Sequence, residues 1–69
     1  AQQRKKENQI KKLENEISET ENKITELDDL LATEEVYTNS MRSREIYEEK
    51  EALEEKLMTL YEEWESINL

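Results

Sequence analysis

Apolar residues recur at alternating steps of three and four in both halves of the chain. In the first half the series is Ile10, Leu13, Ile17, Ile24, Leu27 and Leu31, and in the second half it is Ile46, Leu53, Leu57, Leu60, Trp64 and Ile67. One polar residue fills the gap in each series, Thr20 in the first and Lys50 in the second. Such heptad seams are typical of coiled-coil helices. The pattern therefore predicts one helix over about residues 2–31 and a second over about 40–68.

The heptad phase breaks between the two helices, because Leu31 and Ile46 lie one residue more than two heptads apart. The intervening segment holds helix-capping residues, namely Thr33, Thr38 and Asn39. We expect Thr33 to cap a single helical turn, and Thr38 or Asn39 to cap the second helix. The sequence thus predicts an all-α fold, an antiparallel two-helix coiled coil (αα-hairpin), as one domain over residues 1–69 with a capped tip near 32–39.

Charge is distributed unevenly along the chain, which carries a net charge of −9. Residues 1–12 hold five bases against one acid, a local charge of +4, so the remaining residues carry −13. In a hairpin the basic start would lie beside Glu62, Glu63 and Glu65, whereas a parallel dimer would set like charges against each other. Charge therefore favours a hairpin, which we expect to be monomeric.

Two helix registers, one heptad apart, satisfy the apolar pattern. The first faces Thr20 with Lys50, so the two polar seam residues share one layer, and its flanking pairs Lys23–Glu49 and Glu16–Lys56 have opposite signs. The second register instead faces Leu27 with Lys50 and places Lys23 near Lys56. Because it joins the polar residues and avoids a like-charge pair, the first register is the preferred prediction.

Composition excludes most catalytic chemistry. The chain has no Gly, so it has no phosphate-binding loop of the kind that needs a residue without Cβ, and it has no Cys or His. Thiolate catalysis, imidazole acid–base catalysis and zinc sites are therefore excluded. Paired glutamates such as Glu34-Glu35 are expected to form a solvated face. The chain itself is predicted to be no enzyme and to hold no metal or cofactor, and no apolar run is long enough for a membrane span.

Three groups of residues are candidates for contact or packing. The basic start could touch RNA phosphates or another partner through Arg4, Lys5, Lys6, Lys11 and Lys12. At the tip, packing or partner contact is predicted for Val36, Tyr37 and Met41, with Leu30 and Tyr47 expected to complete a small apolar cluster. At the open end, packing is predicted for Tyr61 and Trp64. Because the rest of the chain is strongly acidic, binding to duplex DNA is not expected.

Two short motifs resemble the C-terminal coiled-coil domain of bacterial ABC-F ATPases. In that family an L-x-x-P-E-V-Y tip joins two antiparallel helices, and the second helix ends in L-Y-x-x-W-E-x-L. The matching residues here are Glu35-Val36-Tyr37 and Leu60-Tyr61-Glu62-Glu63-Trp64-Glu65. Glu34 stands where the family often has Pro. The resemblance covers nearly the whole chain.

The resemblance implies a function that the residue pattern alone does not. ABC-F proteins carry two ATP-binding domains in one chain, lack transmembrane segments and act on the ribosome. It implies that this chain is a cytoplasmic accessory domain, excised from a larger ATPase that uses ATP and Mg, and that it contacts the ribosome or nucleic acid. The alternative is a structural or oligomerisation hairpin of an unrelated protein with no nucleic-acid contact.

Overall fold

The computed structural model describes the backbone of residues 2–68 and the side chains of residues 4–68. It contains three helices, α1 (Gln2–Leu31), α2 (Glu34–Tyr37) and α3 (Ser40–Asn68). The two long helices pack against each other in a rod of 54 × 14 × 12 Å. The predicted all-α fold and the long helix pair are confirmed, and α1 and α3 have the bounds that the heptad pattern predicts.

Contacts between the helices show that they run antiparallel in the second of the two registers. Lys50 Nζ lies 2.6 Å from Asp28 Oδ1, and farther along α3, Tyr61 donates a hydrogen bond of 3.3 Å to Glu21 Oε2. In the first register Lys50 would face Thr20, eight residues and about 12 Å from Asp28 along α1, which is beyond the reach of a lysine side chain. The preferred first register is therefore wrong, and its expected pairs Lys23–Glu49 and Glu16–Lys56 are not among the ion pairs of the described residues.

The first register fails because each polar seam residue satisfies its polar atoms without the other. Thr20 is buried, and its hydroxyl donates to the Glu16 carbonyl oxygen of its own helix at 2.7 Å. Lys50 extends to the edge of the helix interface, where its ammonium contacts Asp28 and, at 3.9 Å, Glu54 Oε1. Because neither needs the other as a hydrogen-bond partner, the register is free to follow the apolar contacts at the tip.

The chain turns without any positive φ angle among the described residues. The Thr33 carbonyl oxygen accepts hydrogen bonds from Val36 and Tyr37 at 3.1 and 3.0 Å, which starts α2, whereas the Thr33 hydroxyl donates back to the Leu30 carbonyl at 2.6 Å. The predicted cap at Thr33 thus acts through its backbone, and its side chain instead closes the end of α1.

Asn39 is the residue that caps α3. Its Oδ1 accepts a hydrogen bond from the Arg42 backbone N–H at 3.1 Å, the geometry of a side-chain N-cap. Thr38, the other predicted cap, donates its hydroxyl to the Glu34 carbonyl at 2.6 Å and so belongs to the end of α2. The Ser43 hydroxyl also links α3 to α2, because it donates a hydrogen bond to the Val36 carbonyl at 2.6 Å.

The apolar interior consists of two clusters. The shaft cluster contains Leu13, Ile17 and Leu60, with Leu57, Trp64 and Ile67 packed against it. The tip cluster contains Leu27, Val36 and Ile46, with Leu31 and Leu53 packed against it, and Ile46 is only 2% exposed. Leu60 packs beside Ile17, as the second register requires.

The predicted apolar cluster at the tip forms only in part. Val36 is buried, but Tyr37 and Met41 are 61% and 75% exposed, and Leu30 and Tyr47 are also exposed. The packing prediction is therefore wrong for these four side chains. Val36 turns inward toward Leu27 and Ile46, whereas the other four lie on the outer surfaces of α1, α2 and α3. Partner contact through Tyr37 and Met41 remains a prediction.

Candidate interaction surfaces

The basic start of α1 extends past the end of the described α3. Gln9 and Ile67 line the same groove, so the turns that precede Gln9 have no described α3 residue opposite them. These turns span about 10 Å of α1. They carry Arg4, Lys5 and Lys6, all exposed. The register therefore places this part of the basic start beyond the acidic end of α3 and not beside it.

Lys11 and Lys12 lie one to two turns farther along α1, beside the C-terminal end of α3. Both are exposed, and Lys12 lines a groove with Glu63 and Ile67. Among the side chains of residues 4–68, the ion pairs are made by Arg42, Arg44 and Lys50, and none is made by the five candidate bases. The five cations are thus available to an anionic ligand.

At the open end, Trp64 is half-buried against the shaft cluster, while Tyr61 lies at its edge and is 42% exposed. The two aromatic residues and Ile17 form an apolar groove of about 220 Å³ with Glu14, Ser18 and Glu21 along its α1 side. The predicted packing at this end is observed for Trp64. Tyr61 donates a hydrogen bond to Glu21.

Two polar side chains between the helices have shifted pKa values. The hydrogen bond between Lys50 and Asp28 raises the pKa of Lys50 above 10.5, although partial desolvation of the ammonium opposes the shift. Partial desolvation raises the pKa of Tyr61 above 10.0, and the negative charge of Glu21 adds to the effect. Both shifts favour the protonated side chain, so Lys50 is a cation and Tyr61 a neutral donor at physiological pH.

At the tip, a shallow depression of about 600 Å³ lies between Tyr37 and Tyr47. Its other lining residues include Leu31, Ser43, Arg44 and Glu48. Arg44 pairs only loosely with Glu48, at 3.7 Å between exposed side chains. Sequence reasoning missed this depression because it placed both tyrosines in a small apolar cluster that closes the tip.

Within residues 2–68, no helix is both long and apolar enough to cross a membrane, and no group of three or more acidic, Cys or His residues is arranged to hold a metal ion. The cavities of the described residues are open grooves between exposed side chains along the rod. Such a shape suits contact with another macromolecule better than enclosure of a small molecule.

A family model described as ABC transporter C-terminal domain matches residues 1–68. The chain belongs to this family. It is therefore the accessory C-terminal domain of an ABC-type ATP-binding protein, and the alternative of a hairpin from an unrelated protein does not hold. Neither a search of curated proteins nor a search of solved structures finds a match to the chain.

The structure shows where the two motifs lie in this ABC transporter C-terminal domain. The motif residues that carried the resemblance lie at opposite ends of the rod. Val36 supports the tip cluster, and Trp64 packs on the shaft cluster. Both motifs therefore have structural roles, and the exposed side chains beside them, such as Tyr37 and Tyr61, are available for contact.

Proposed function

We propose that this chain is the non-catalytic C-terminal domain of a cytoplasmic ABC-F ATPase, and that it contacts ribosomal RNA through the basic start of α1. The observation that supports the proposal is the position of Arg4, Lys5 and Lys6, three consecutive exposed cations of α1 at one end of the rod, beyond the acidic residues of α3. ATP and Mg would be bound by the ATPase domains of the parent protein.

The rod separates this basic end from most of its acidic surface. Phosphates that approach the side of this basic end would meet Arg4, Lys5 and Lys6, whereas a duplex lying along the rod would meet the acidic helices. Lysine and arginine contacts to phosphates release counterions, so each contact strengthens binding and makes it depend on salt. A contact between this end and a folded RNA surface therefore fits the charge distribution better than binding to duplex DNA.

The test is cosedimentation of the 69-residue chain with ribosomes at several salt concentrations. The variant Lys5→Gln/Lys6→Gln should weaken binding at low salt and reduce the slope of log K against log salt by about one to two. The matched control is Arg42→Gln/Arg44→Gln, which removes the same charge from exposed arginines near the tip. It should leave the slope nearly unchanged.

Equal losses in the two variants would show that only net charge matters and would refute the assignment to the basic start. Binding that ignores salt would refute a phosphate contact altogether. Circular dichroism of both variants would verify that the helices are intact, since all four substituted side chains are exposed.

A further inference from the structure

α3 carries a second heptad series, displaced by one residue from the buried seam. These six exposed residues form an outer stripe of three large side chains and three glutamates: Tyr47, Glu51, Glu54, Met58, Tyr61 and Glu65. Met58 and Tyr47 are 66% and 59% exposed. From Tyr47 to Tyr61 the stripe extends about 21 Å along the helix. It has the spacing of a coiled-coil seam, but its side chains are exposed and no other helix of residues 2–68 covers it.

α1 places a column of acids beside the outer stripe, since Glu14, Glu21 and Asp28 follow each other at heptad spacing. Direct contacts join the column to α3, because Glu21 accepts from Tyr61, and Lys50 bridges Asp28 and Glu54. The stripe and the column are therefore two sides of one face of the hairpin.

The opposite face has a different composition. Its α3 positions hold no large apolar side chain, being Glu49, Ala52, Lys56, Thr59, Glu63 and Ser66. Its grooves bring both signs of charge together, with Lys12 near Glu63 and with Lys23 and Lys56 near Glu19. Opposite charges on that face can therefore neutralise each other. On the stripe face, six carboxylates accompany two cations, Lys50 and, beside Tyr47 at the tip end of the stripe, Arg44.

This charge pattern defines the chemistry of an occupant. A second copy of the same face would bring carboxylates against carboxylates, and RNA would be repelled for the same reason. Apolar and acidic positions at heptad spacing suit a third helix with the inverse charge pattern. We propose that the stripe face binds a basic amphipathic helix of a partner protein. Its apolar side chains would pack on Tyr47, Met58 and Tyr61, and its lysines and arginines would pair with Glu51, Glu54 and Glu65.

The interaction is independent of the RNA contact proposed above. The partner helix would bind acidic residues along α3, whereas RNA would bind basic residues at the start of α1. Its first test is titration of the full chain with a synthetic three-heptad helical peptide that carries Leu at its seam positions and Arg beside them. Peptides of the same composition in scrambled order, and of the same pattern with Glu for Arg, are the controls. The patterned basic peptide should bind at least tenfold more tightly than either control.

The two methionines of the chain provide an internal reporter. Met58 lies in the outer stripe, whereas Met41 lies at the tip, and both are exposed. On addition of the basic peptide, the NMR signal of the Met58 methyl group should shift and that of Met41 should stay in place. Equal shifts at the two methionines would overturn the assignment to the stripe face.

A pair of matched charge variants tests the face directly. Glu51→Gln/Glu65→Gln should weaken peptide binding about tenfold, since two exposed ion pairs are lost. Glu49→Gln/Glu63→Gln removes the same charge from the opposite face of α3 and should change affinity less than twofold. Similar losses in both would indicate nonspecific attraction and overturn the proposal.

Two further results would also refute it. If sedimentation shows that the chain forms a dimer that Met58→Ala dissociates, the occupant of the stripe is a second copy. If a single-stranded RNA competes with the basic peptide for the stripe, the occupant belongs to another class of macromolecule.

Discussion

The tip cluster and the shaft cluster are built from similar aliphatic residues, but the most buried side chain, that of Ile46, lies at the tip. Two helices enclose Ile17, which remains 7% exposed, whereas the tip adds the short helix α2, and Ile46 is 2% exposed there. A pair of helices always leaves the seam open along two edges. A third element, even one of four residues, closes it at one end. The comparison therefore predicts that stability is concentrated at the tip.

The sharpest test substitutes the same residue type in each cluster. Ile46→Ala should destabilise the hairpin by about 2–5 kcal/mol, because it removes side-chain atoms from the most enclosed site and leaves a cavity. Ile17→Ala should cost less, since its site is enclosed by two helices only. The measurement is urea or thermal unfolding followed by circular dichroism.

If an alanine variant is too unstable to fold, Ile46→Val and Ile17→Val provide the same comparison at a cost of about 0.5–1.5 kcal/mol. A larger loss at Ile17 than at Ile46 in either series would contradict the conclusion that α2 makes the tip the more stable region.

The N-cap of α3 is expected to contribute to the stability of the tip. Asn39→Ala should destabilise the hairpin by about 1 kcal/mol, because the Arg42 N–H loses its partner at the start of the helix. Asn39→Asp keeps an acceptor and should retain most of the stability. Thr38→Ala is the matched control, since its exposed hydroxyl bonds only to a carbonyl of α2. An equal loss at both positions would show that Asn39 is not the decisive cap.

The smallest effect concerns the polar contact between the two clusters. The ion pair with Asp28 raises the pKa of Lys50, so its contribution is fully present below pH 10.5 and disappears as pH rises through the pKa of the folded state. The free energy of unfolding of the unmodified chain should therefore fall in this alkaline range. Asp28→Asn should flatten that fall.

Glu26→Gln is the control for this pH dependence, because it removes the same charge from α1 at an exposed position outside the observed ion pairs. Its stability should fall with pH as steeply as that of the unmodified chain. If Asp28→Asn and Glu26→Gln gave the same slope, the pair with Lys50 would make no pH-dependent contribution to stability.

Much of the fold follows from local sequence features. The heptad steps define both long helices, and the capping residues locate the turn between them, because helix formation and capping depend on residues only a few positions apart. The choice between Thr38 and Asn39 as the cap remained open in the sequence. It depends on the path of the backbone after α2, which the packing of Val36 determines.

The surfaces were less predictable than the helices. The five basic residues were identified from charge alone, and their exposure agrees with that hypothesis, but their distance from the acidic residues of α3 depends on the register. The outer stripe was overlooked, although a signal was present, since Tyr47, Met58 and Tyr61 lie at heptad-related spacing. This spacing indicates an exposed stripe only once the buried seam of α3 is known.

By itself, the sequence determined the two helices, their antiparallel arrangement, the turn without glycine and the separation of a basic end from an acidic rod. The tertiary structure decided the register, because two alignments one heptad apart satisfy the apolar pattern nearly equally well. Thr20 and Lys50 did not need to pair, since the first bonds to its own helix and the second extends to Asp28. The burial of Val36 between Leu27 and Ile46 was then the decisive contact. It joins residues from three elements, and no periodicity within one helix encodes it.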